Sequence, residues 1–371
     1  ERAFGRGDVV SSDKWSVLEN ASGSKTGFQG VAPPPMARKE IDRLFYKEPR
    51  ARALHPYLCK FFPVPYDIKE NIKDERSTFF LDRNGQVFMF RSFRADWLKD
   101  RAAQVEEAHN ILVGEDNKSD AIKAACSSGL RGPHMPIILG HHRQSSAVPY
   151  VTSWQQAHPD RVQKLLALPI IQRIIRWITD IVDTVFPGVA ARLRKDAEWH
   201  EEKYGIKPLF GLFWNLCLNT WFEGQSNIRC GPHADKKNQV GVCLLLVYVL
   251  ENGKNFNHTQ RIWLVVWEAG IIVELPPWVL GAYPSALLYH FNVDTDEIEF
   301  VTTEGDVRPT RENSRPICDG DDCGRGSFVF FNQSTMRQGP ITGYDTIAEA
   351  KAHGHSGTVD WGESIQEAFT K

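Results

Sequence analysis

The stretch Gly231-Pro232-His233-Ala234-Asp235, together with His290 further along the chain, decides how the fold is interpreted. Side chains alternate between the two faces of an extended segment, so His233 and Asp235 share a face and Ala234 points away. Two histidines and one carboxylate can hold one face of an iron(II) ion. A His-x-Asp triplet alone is a weak signal, and the alternative for His233 is a hydrogen-bonded histidine at a strand end. The full set makes His233, Asp235 and His290 a candidate metal triad and catalytic centre.

A second pair of polar residues follows this triad. Arg325 and Ser327 lie two positions apart, on one face, and open the apolar run Phe328-Val329-Phe330-Phe331. An arginine that points into a barrel is costly unless it pairs with a carboxylate. The triad leaves three metal positions open, of which a bidentate 2-oxo acid takes two and O2 takes the third. We therefore expect Arg325 and Ser327 to bind the far carboxylate of 2-oxoglutarate.

The region after residue 209 alternates short apolar runs with turns, which is typical of a β-sandwich or jelly roll. The fold class we predict is α+β: a double-stranded β-helix (jelly-roll) core with a helical, loop-rich N-terminal region packed on it. In such a core, the strand after the His-x-Asp triplet and the strand that ends at His290 can lie side by side. The predicted strands cover 210–222, 240–250, 261–267, 270–275, 285–290 and 326–333.

Three regions follow from this interpretation. Residues 1–37, rich in Gly, Ser and Pro, form an extended N-terminal arm. Residues 38–208 form the helical, loop-rich region, and residues 209–371 form the jelly-roll core. Within 38–208 the patterns predict a hairpin over 77–93, a helix over 95–112 and a long surface loop over 116–148. Residues 160–200 form a helical region that Pro169 interrupts, and a second helix covers 189–203.

Bulk composition excludes few function classes. The 371 residues are 42% hydrophobic and carry a net charge of −2, which argues neither for nor against a local nucleic-acid groove. We expect no membrane span, because no run of about 18 apolar residues occurs. Seven scattered cysteines indicate a reducing compartment. Segment 36–60 is basic, either as a solvated helix face or as a phosphate-contacting patch, through Arg38, Lys39, Arg43, Lys47, Arg50, Arg52 and Lys60.

Residues 209–335 resemble the 2-oxoglutarate/Fe(II) oxygenase fold and, within it, the TET/JBP nucleobase oxygenases of the fungal branch. The likeness rests on the triad and Arg-x-Ser and on three further stretches. These are Trp267-Glu268-Ala269-Gly270, Glu274-Leu275-Pro276-Pro277, and Pro284-Ser285-Ala286-Leu287-Leu288-Tyr289-His290-Phe291-Asn292-Val293. The resemblance implies Fe(II), 2-oxoglutarate and O2 as the cofactor set, and a nuclear or nucleocytoplasmic, monomeric enzyme.

The same resemblance implies a methylated base, flipped out of duplex DNA, as the substrate. It places Asn238 against the target base, while Gln333 stands where the family carries a base-contacting histidine. Arg229 is a further candidate for substrate or co-substrate binding. Candidate stacking residues, or else core residues, are Trp214, Trp221 and Trp278.

Two other functions compete with oxidation of 5-methylcytosine or N6-methyladenine. One is hydroxylation of a small metabolite or a protein side chain, which the near-neutral composition favours. The other is a non-enzymatic β-sandwich module with structural histidines, against which the motif set weighs.

An acidic insert over 291–324 separates His290 from Arg325, with ten acidic residues against three basic ones. We predict a surface loop that avoids a DNA backbone. Cys318 and Cys323 within it make an incomplete zinc site, since four ligands are wanted.

Overall fold

The computed structural model describes residues 7–12, 15–19, 21–24, 27–30, 38–69, 75–127, 129, 131–143, 146–222, 228–251, 256–295, 324–355 and 361–370. The architecture is mixed α+β, as the sequence predicted. The acidic insert, apart from its first five residues and Gly324, lies outside the described residues, and so do Cys318 and Cys323. The described cysteines, Cys59, Cys126, Cys217, Cys230 and Cys243, are free thiols.

The first half of the chain holds eight of the described strands and nine helices. The strands are β1 (Gly7–Ser11), β2 (Ala21–Ser24), β3 (Gly27–Gly30), β4 (Phe62–Val64), β5 (Ser77–Leu81), β6 (Val87–Arg91), β7 (Met135–His142) and β8 (Tyr150–Val151). The helices are α1 (Arg38–Phe45), α2 (His55–Leu58), α3 (Asp96–Lys99), α4 (Ala102–Val113), α5 (Asp120–Ser127), α6 (Ser153–Ala157), α7 (Pro159–Ala167), α8 (Pro169–Val185) and α9 (Pro187–Tyr204). Short 3-10 turns cover Pro49–Leu54 and Asp116–Lys118.

The second half is rich in strands and ends in helices. Its strands are β9 (Asn215–Thr220), β10 (Cys243–Val249), β11 (Trp263–Val266), β12 (Ile271–Val273), β13 (Leu280–Tyr283), β14 (His290–Val293) and β15 (Arg325–Phe331). Its helices are α10 (Ser334–Thr342), α11 (Ile347–Ala352) and α12 (Trp361–Phe369).

Two large sheets hold thirteen of these strands, and β2 and β3 pair with each other in a separate two-stranded sheet. The major sheet has nine strands in the order β1-β5-β6-β13-β10-β15-β9-β7-β8, and the minor sheet has four in the order β14-β11-β12-β4. Neighbours are antiparallel except for the pairs β1–β5 and β12–β4, which are parallel. Because β5, β6 and β7 come from the N-terminal half, both halves of the chain build the same sheet.

The long helices follow from the apolar periodicity. In α8 the residues Ile171, Ile174 and Ile178 recur at helical spacing, and all three are buried. Proline stands at the first position of both α8 and α9, where its missing N–H costs nothing. Gly205 ends α9 in the left-handed conformation at φ +66°. Helix α9 packs on α8, and α12 packs on α9.

Several predicted elements are confirmed and others are wrong. The hairpin β5–β6 turns at Gly85 as expected, with φ +74°. The surface loop predicted over 116–148 is wrong, because α5 and β7 lie within it. Strand β7 pairs with β9 along its length and with β8 only at its end, so Pro136 fits beside a mostly free edge.

The strand predicted over 285–290 is also wrong. Pro284 O accepts from Leu287 N and Leu288 N at 2.9 and 3.1 Å, which closes a helical turn there. His290 therefore begins a strand instead of ending one. Strand β10, which follows the His-x-Asp triplet, lies in the major sheet, whereas β14 lies in the minor sheet. These two strands are not side by side.

The C-terminal end also departs from the predicted β core, since α10, α11 and α12 follow β15. Among the described helices, none is long and apolar enough to cross a lipid bilayer.

Candidate metal centre

A two-residue β-bridge joins the two candidate histidines. His233 N donates to His290 O at 3.0 Å, and His290 N donates to His233 O at 2.8 Å. Asp235 N donates to Ser285 O at 2.9 Å, in the turn that precedes β14. The bridge and this hydrogen bond fix the backbone of all three residues, so the side chains converge although no regular strand carries His233 and Asp235.

The three side chains lie at metal-binding distances. One ligand atom from each of His233, Asp235 and His290 falls within 4.8 Å of the others. His233 Nε2 is 3.8 Å from Asp235 Oδ1, and the two imidazole ring centres are 4.2 Å apart. The three residues that the sequence grouped are therefore neighbours in space.

Backbone carbonyls orient both imidazoles. His233 Nδ1 lies 2.7 Å from Gly231 O, and His290 Nδ1 lies 2.9 Å from Leu288 O. A carbonyl can only accept, so each Nδ1 carries the proton and each Nε2 keeps its lone pair. Bonds of this kind are typical of histidines that ligate a metal through Nε2. The donor set of two Nε2 atoms and one carboxylate fits Fe(II).

Burial sets the charges of these groups. It lowers the pKa of His233 to about 3, with the nearby His290 acting in the same direction. Burial also lowers the pKa of His290. For Asp235, burial acts to raise the pKa, but Arg131 and the two histidines outweigh it and lower the pKa. At neutral pH the centre therefore offers two neutral imidazoles and one carboxylate, which is the state that binds a cation.

Arg131 is part of this centre and was missed from the sequence. Its Nη2 lies 2.9 Å from Asp235 Oδ1, and its side chain is 51% exposed. The surrounding backbone is anchored, since Gly231 N donates to Arg131 O at 2.8 Å. No sequence signal pairs a residue of the 129–134 segment with Asp235, because the contact spans about a hundred residues.

Arg325 and Ser327 line the same cleft as the triad. Arg325 is 3% exposed, and burial lowers its pKa to about 10. Within the described ranges no carboxylate forms an ion pair with Arg325, and its Nε has no hydrogen-bond partner. Ser327 Oγ is 3.3 Å from Asn219 Nδ2. A buried cation without a counter-ion is costly, so this geometry suits an anionic ligand.

Asn238 and Gln333 face each other across an isolated β-bridge at the rim of this cleft. Asn238 Nδ2 donates to Asp235 Oδ2 at 3.3 Å and to Ser285 Oγ at 3.2 Å. Asn238 is thus placed to orient the carboxylate ligand as well as to face a substrate. Gln333 lines the cleft from the residue before α10.

The other predicted substrate contacts are placed elsewhere. Arg229 forms an ion pair with Asp294 and is committed to it. Among the described residues that line the cleft, none of the three tryptophans occurs. Trp214 packs against His200, Trp221 stacks on His109, and Trp278 is buried with φ +69°.

The basic segment 36–60 stabilises the backbone next to the metal centre. Arg38 in α1 pairs with Glu268, whose other carboxylate oxygen accepts from Tyr289 N at 2.6 Å. Asp42, one turn later, accepts from the Tyr289 hydroxyl. Helix α1 thus fastens the backbone beside His290. For Arg38 the structural role explains the charge better than phosphate contact does.

Comparisons with known proteins add only a remote likeness. No family model matches the sequence, and no curated protein matches it. Among solved structures, the chain is similar to NgTET1 in complex with 5mC DNA, at 13% identity over 80% of this chain and 91% of that one, with a TM-score of 0.42. It is also similar to a 2OG-Fe(II) oxygenase family oxidoreductase from Burkholderia pseudomallei, at 10% identity over 58% of this chain and 76% of that one, with a TM-score of 0.25. Likenesses this distant carry no weight for activity, so the proposals below rest on the site and its motifs.

Proposed function

We propose that this chain is a 2-oxoglutarate- and Fe(II)-dependent dioxygenase that oxidises the methyl group of a methylated DNA base, and that its two sheets form the double-stranded β-helix of that enzyme class. One observation carries the proposal. The cleft that holds His233, Asp235 and His290 also holds the buried Arg325, which has no carboxylate partner among the described residues. A metal triad and an anion-binding arginine in one cleft are what such a reaction requires.

Each residue has a defined task in this reaction. His233 and His290 would offer Nε2, and Asp235 would offer a carboxylate oxygen, so these three residues would hold Fe(II) and leave room for the co-substrate. Arg325 binds the far carboxylate of 2-oxoglutarate, with Ser327 beside it on the same face of β15. Apolar side chains from both sheets, Leu245, Leu264 and Val329, line the cleft and exclude water.

When bound, Fe(II) supplies the redox chemistry that couples O2 and 2-oxoglutarate to oxidation of a C–H bond. The balance is one methyl group, one O2 and one 2-oxoglutarate giving one hydroxymethyl group, one succinate and one CO2. The chain orients the co-substrate through Arg325 and presents the methyl group at the open face. Repeated oxidation of 5-methylcytosine, or loss of formaldehyde from N6-methyladenine, follows from the same first step.

The choice of a DNA base rests on the sequence resemblance and on the rim of the cleft. Asn238 and Gln333 offer amide groups there, and Lys237 and Arg131 add positive charge. Amides can read the edge of a flipped base, while cations bind phosphate. We infer a nuclear or nucleocytoplasmic enzyme that acts as a monomer.

One observation favours a second candidate, hydroxylation of a small metabolite or a protein side chain. The basic segment is partly neutralised within the protein, because Arg38 pairs with Glu268 and Arg43 pairs with Glu40. Cations paired in this way are less available for phosphate contacts, so the segment gains less from binding DNA.

The deciding experiment incubates the full chain with iron, 2-oxoglutarate, ascorbate and duplex DNA that carries 5-methylcytosine, N6-methyladenine or only thymine. We expect succinate together with oxidised or demethylated nucleosides by mass spectrometry, and neither from Asp235→Ala. Asp100→Ala, at an exposed position, is the matched control. Undiminished succinate from Asp235→Ala would contradict the metal triad. Succinate without any nucleoside product would leave the second candidate.

A further inference from the structure

The metal centre contains one positive charge that neither the triad nor the co-substrate explains. Arg131 Nη2 lies 2.9 Å from Asp235 Oδ1. That same oxygen faces His233 Nε2 at 3.8 Å, and is therefore the atom directed at the middle of the triad. The other carboxylate oxygen, Oδ2, already accepts from Asn238 Nδ2 at 3.3 Å. Arg131 and a metal ion thus compete for one and the same atom.

The contact between Arg131 and Asp235 is weak in its details. Oδ1 has no hydrogen-bond partner among the described residues, although the guanidinium is close to it, so the N–H groups are not directed at this oxygen. The Arg131 side chain is 51% exposed. The Asp235 side chain is only 11% exposed, so the carboxylate stays in place, whereas the half-exposed guanidinium can turn into solvent.

The backbone beneath Arg131 does not share this freedom. Gly132 has φ +100°, and a Cβ there would lie 2.6 Å from Arg229 O, so the segment is packed tightly against the backbone that precedes His233. Arg131 O accepts from Gly231 N at 2.8 Å. Because the backbone of Arg131 is fixed and only its side chain moves, the guanidinium can return to Asp235 whenever no cation occupies the carboxylate.

Resting on the function proposed above, we propose that Arg131 is a displaceable counter-ion of the metal centre. With no cation bound, its guanidinium neutralises Asp235 and holds the buried carboxylate ready between the histidines. On metal binding, Asp235 Oδ1 exchanges the guanidinium for the ion, and Arg131 turns to the mouth of the cleft. Arg131 therefore weakens metal affinity and leaves a free cation at the cleft mouth only after the metal has bound.

Metal titration of the full chain tests this without any turnover. Mn(II) serves as the probe, and its free concentration is followed by electron paramagnetic resonance. We expect Arg131→Gln to bind Mn(II) about tenfold more tightly than the wild type, which is about 1.4 kcal/mol. Arg131→Lys keeps the charge and should stay within about threefold of the wild type. Arg76→Gln, which removes an equally exposed arginine paired with Asp8, is the matched control and should change nothing.

An arginine that only supports the backbone, without opposing a cation at Asp235 Oδ1, does not give tighter Mn(II) binding when it is removed. Unchanged or weaker Mn(II) binding by Arg131→Gln, with normal binding by the wild type, would overturn the counter-ion role and leave the proposed function intact. Failure of Arg131→Gln to fold would overturn it as well, since the guanidinium is assigned no part in stability. If the wild type itself binds no Mn(II), the counter-ion role and the proposed metal centre both fail.

Discussion

Two buried arginines sit in opposite chemical situations. Arg91, at the end of β6, is 4% exposed and donates to Val64 O, Pro65 O and Glu274 O at 2.9–3.0 Å, and to Thr78 Oγ1. Arg325, at the start of β15, is 3% exposed and lacks a carboxylate partner among the described residues. Burial alone therefore does not reveal an arginine's task. A guanidinium whose N–H groups are all bonded within the protein holds strands together, whereas the position of Arg325 in the cleft led us to propose that it binds a ligand.

The largest effect should come from Arg91. Arg91→Met leaves the buried carbonyl of Glu274 and the partly buried carbonyl of Pro65 without this donor, and each such loss costs about 1–3 kcal/mol. We expect the free energy of unfolding to fall by about 3–5 kcal/mol, measured by urea denaturation and circular dichroism. A loss below about 1 kcal/mol would mean that the hydrogen bonds of Arg91 do not stabilise the fold, and Arg91 and Arg325 would then no longer differ in role.

Arg325 should show the reverse pattern. Arg325→Met removes a buried charge that has no carboxylate partner in the described part of the chain, so the free energy of unfolding should stay the same or rise. Affinity for 2-oxoglutarate should fall about a hundredfold, or about 2.7 kcal/mol, in calorimetric titrations of the Mn(II)-loaded chain. Arg325→Lys is the control, because it keeps the charge and loses the planar guanidinium that can donate two hydrogen bonds to one carboxylate. Normal 2-oxoglutarate binding by Arg325→Met would remove the reason to assign Arg325 to the co-substrate.

Acidic pH should also distinguish the surroundings of Arg325 from those of Arg91. Behind Arg325, His109 Nδ1 lies 2.7 Å from the Tyr248 hydroxyl, and burial lowers the pKa of His109 to about 4. Its unfolded-state pKa is near 6.5, so the unfolded chain takes up a proton first as the pH falls. The stability that neutral His109 contributes is complete above about pH 6.5 and is lost as the pH falls toward 4.

From these two pKa values the loss at pH 5 is about 2 kcal/mol. His109→Gln cannot be protonated, so it should reduce the pH 7.5 to pH 5 difference in unfolding free energy by about this amount, measured by urea titration at both pH values. Other buried histidines keep part of the acid sensitivity in either chain. Equal pH dependence of the variant and the wild type would show that His109 is not a buried neutral base.

The sequence predicted which side chains come together better than it predicted the path of the backbone. Ligand types and spacing grouped His233, Asp235 and His290, which are neighbours in the structure, because metal binding restricts which residues can serve. The same reasoning placed the histidine and carboxylate on a strand, and the structure instead has a two-residue bridge and a helical turn at Pro284. Local periodicity cannot distinguish a short strand from a turn when a tertiary bridge fixes the backbone.

Long-range contacts were beyond the reach of sequence patterns. Arg131 and Arg38 act on Asp235 and on the backbone beside His290, through contacts that only the folded chain creates. Strand β7 was hidden because its Pro, Gly and two His interrupt the apolar alternation, yet pairing with β9 overrides the weak local preference. By contrast, α8 was predictable because its buried stripe is periodic over the whole helix.

The smallest effect concerns Asn238 and distinguishes orientation of the metal ligand from recognition of a base. Asn238 Nδ2 donates to Asp235 Oδ2 at 3.3 Å, which is a long, neutral-donor hydrogen bond, so Asn238→Ala should weaken Mn(II) binding only about fivefold. Gln333→Ala is the matched control, because Gln333 lines the same cleft without a side-chain hydrogen bond to Asp235 among the described contacts. If Asn238 reads the base and does not orient the carboxylate, Mn(II) affinity stays at the wild-type value while the ratio of turnover on 5-methylcytosine to turnover on N6-methyladenine changes. Weaker Mn(II) binding with a constant ratio assigns Asn238 to orientation of the Asp235 carboxylate, opposite in sign to the effect proposed for Arg131, and contradicts a role for Asn238 in reading a base.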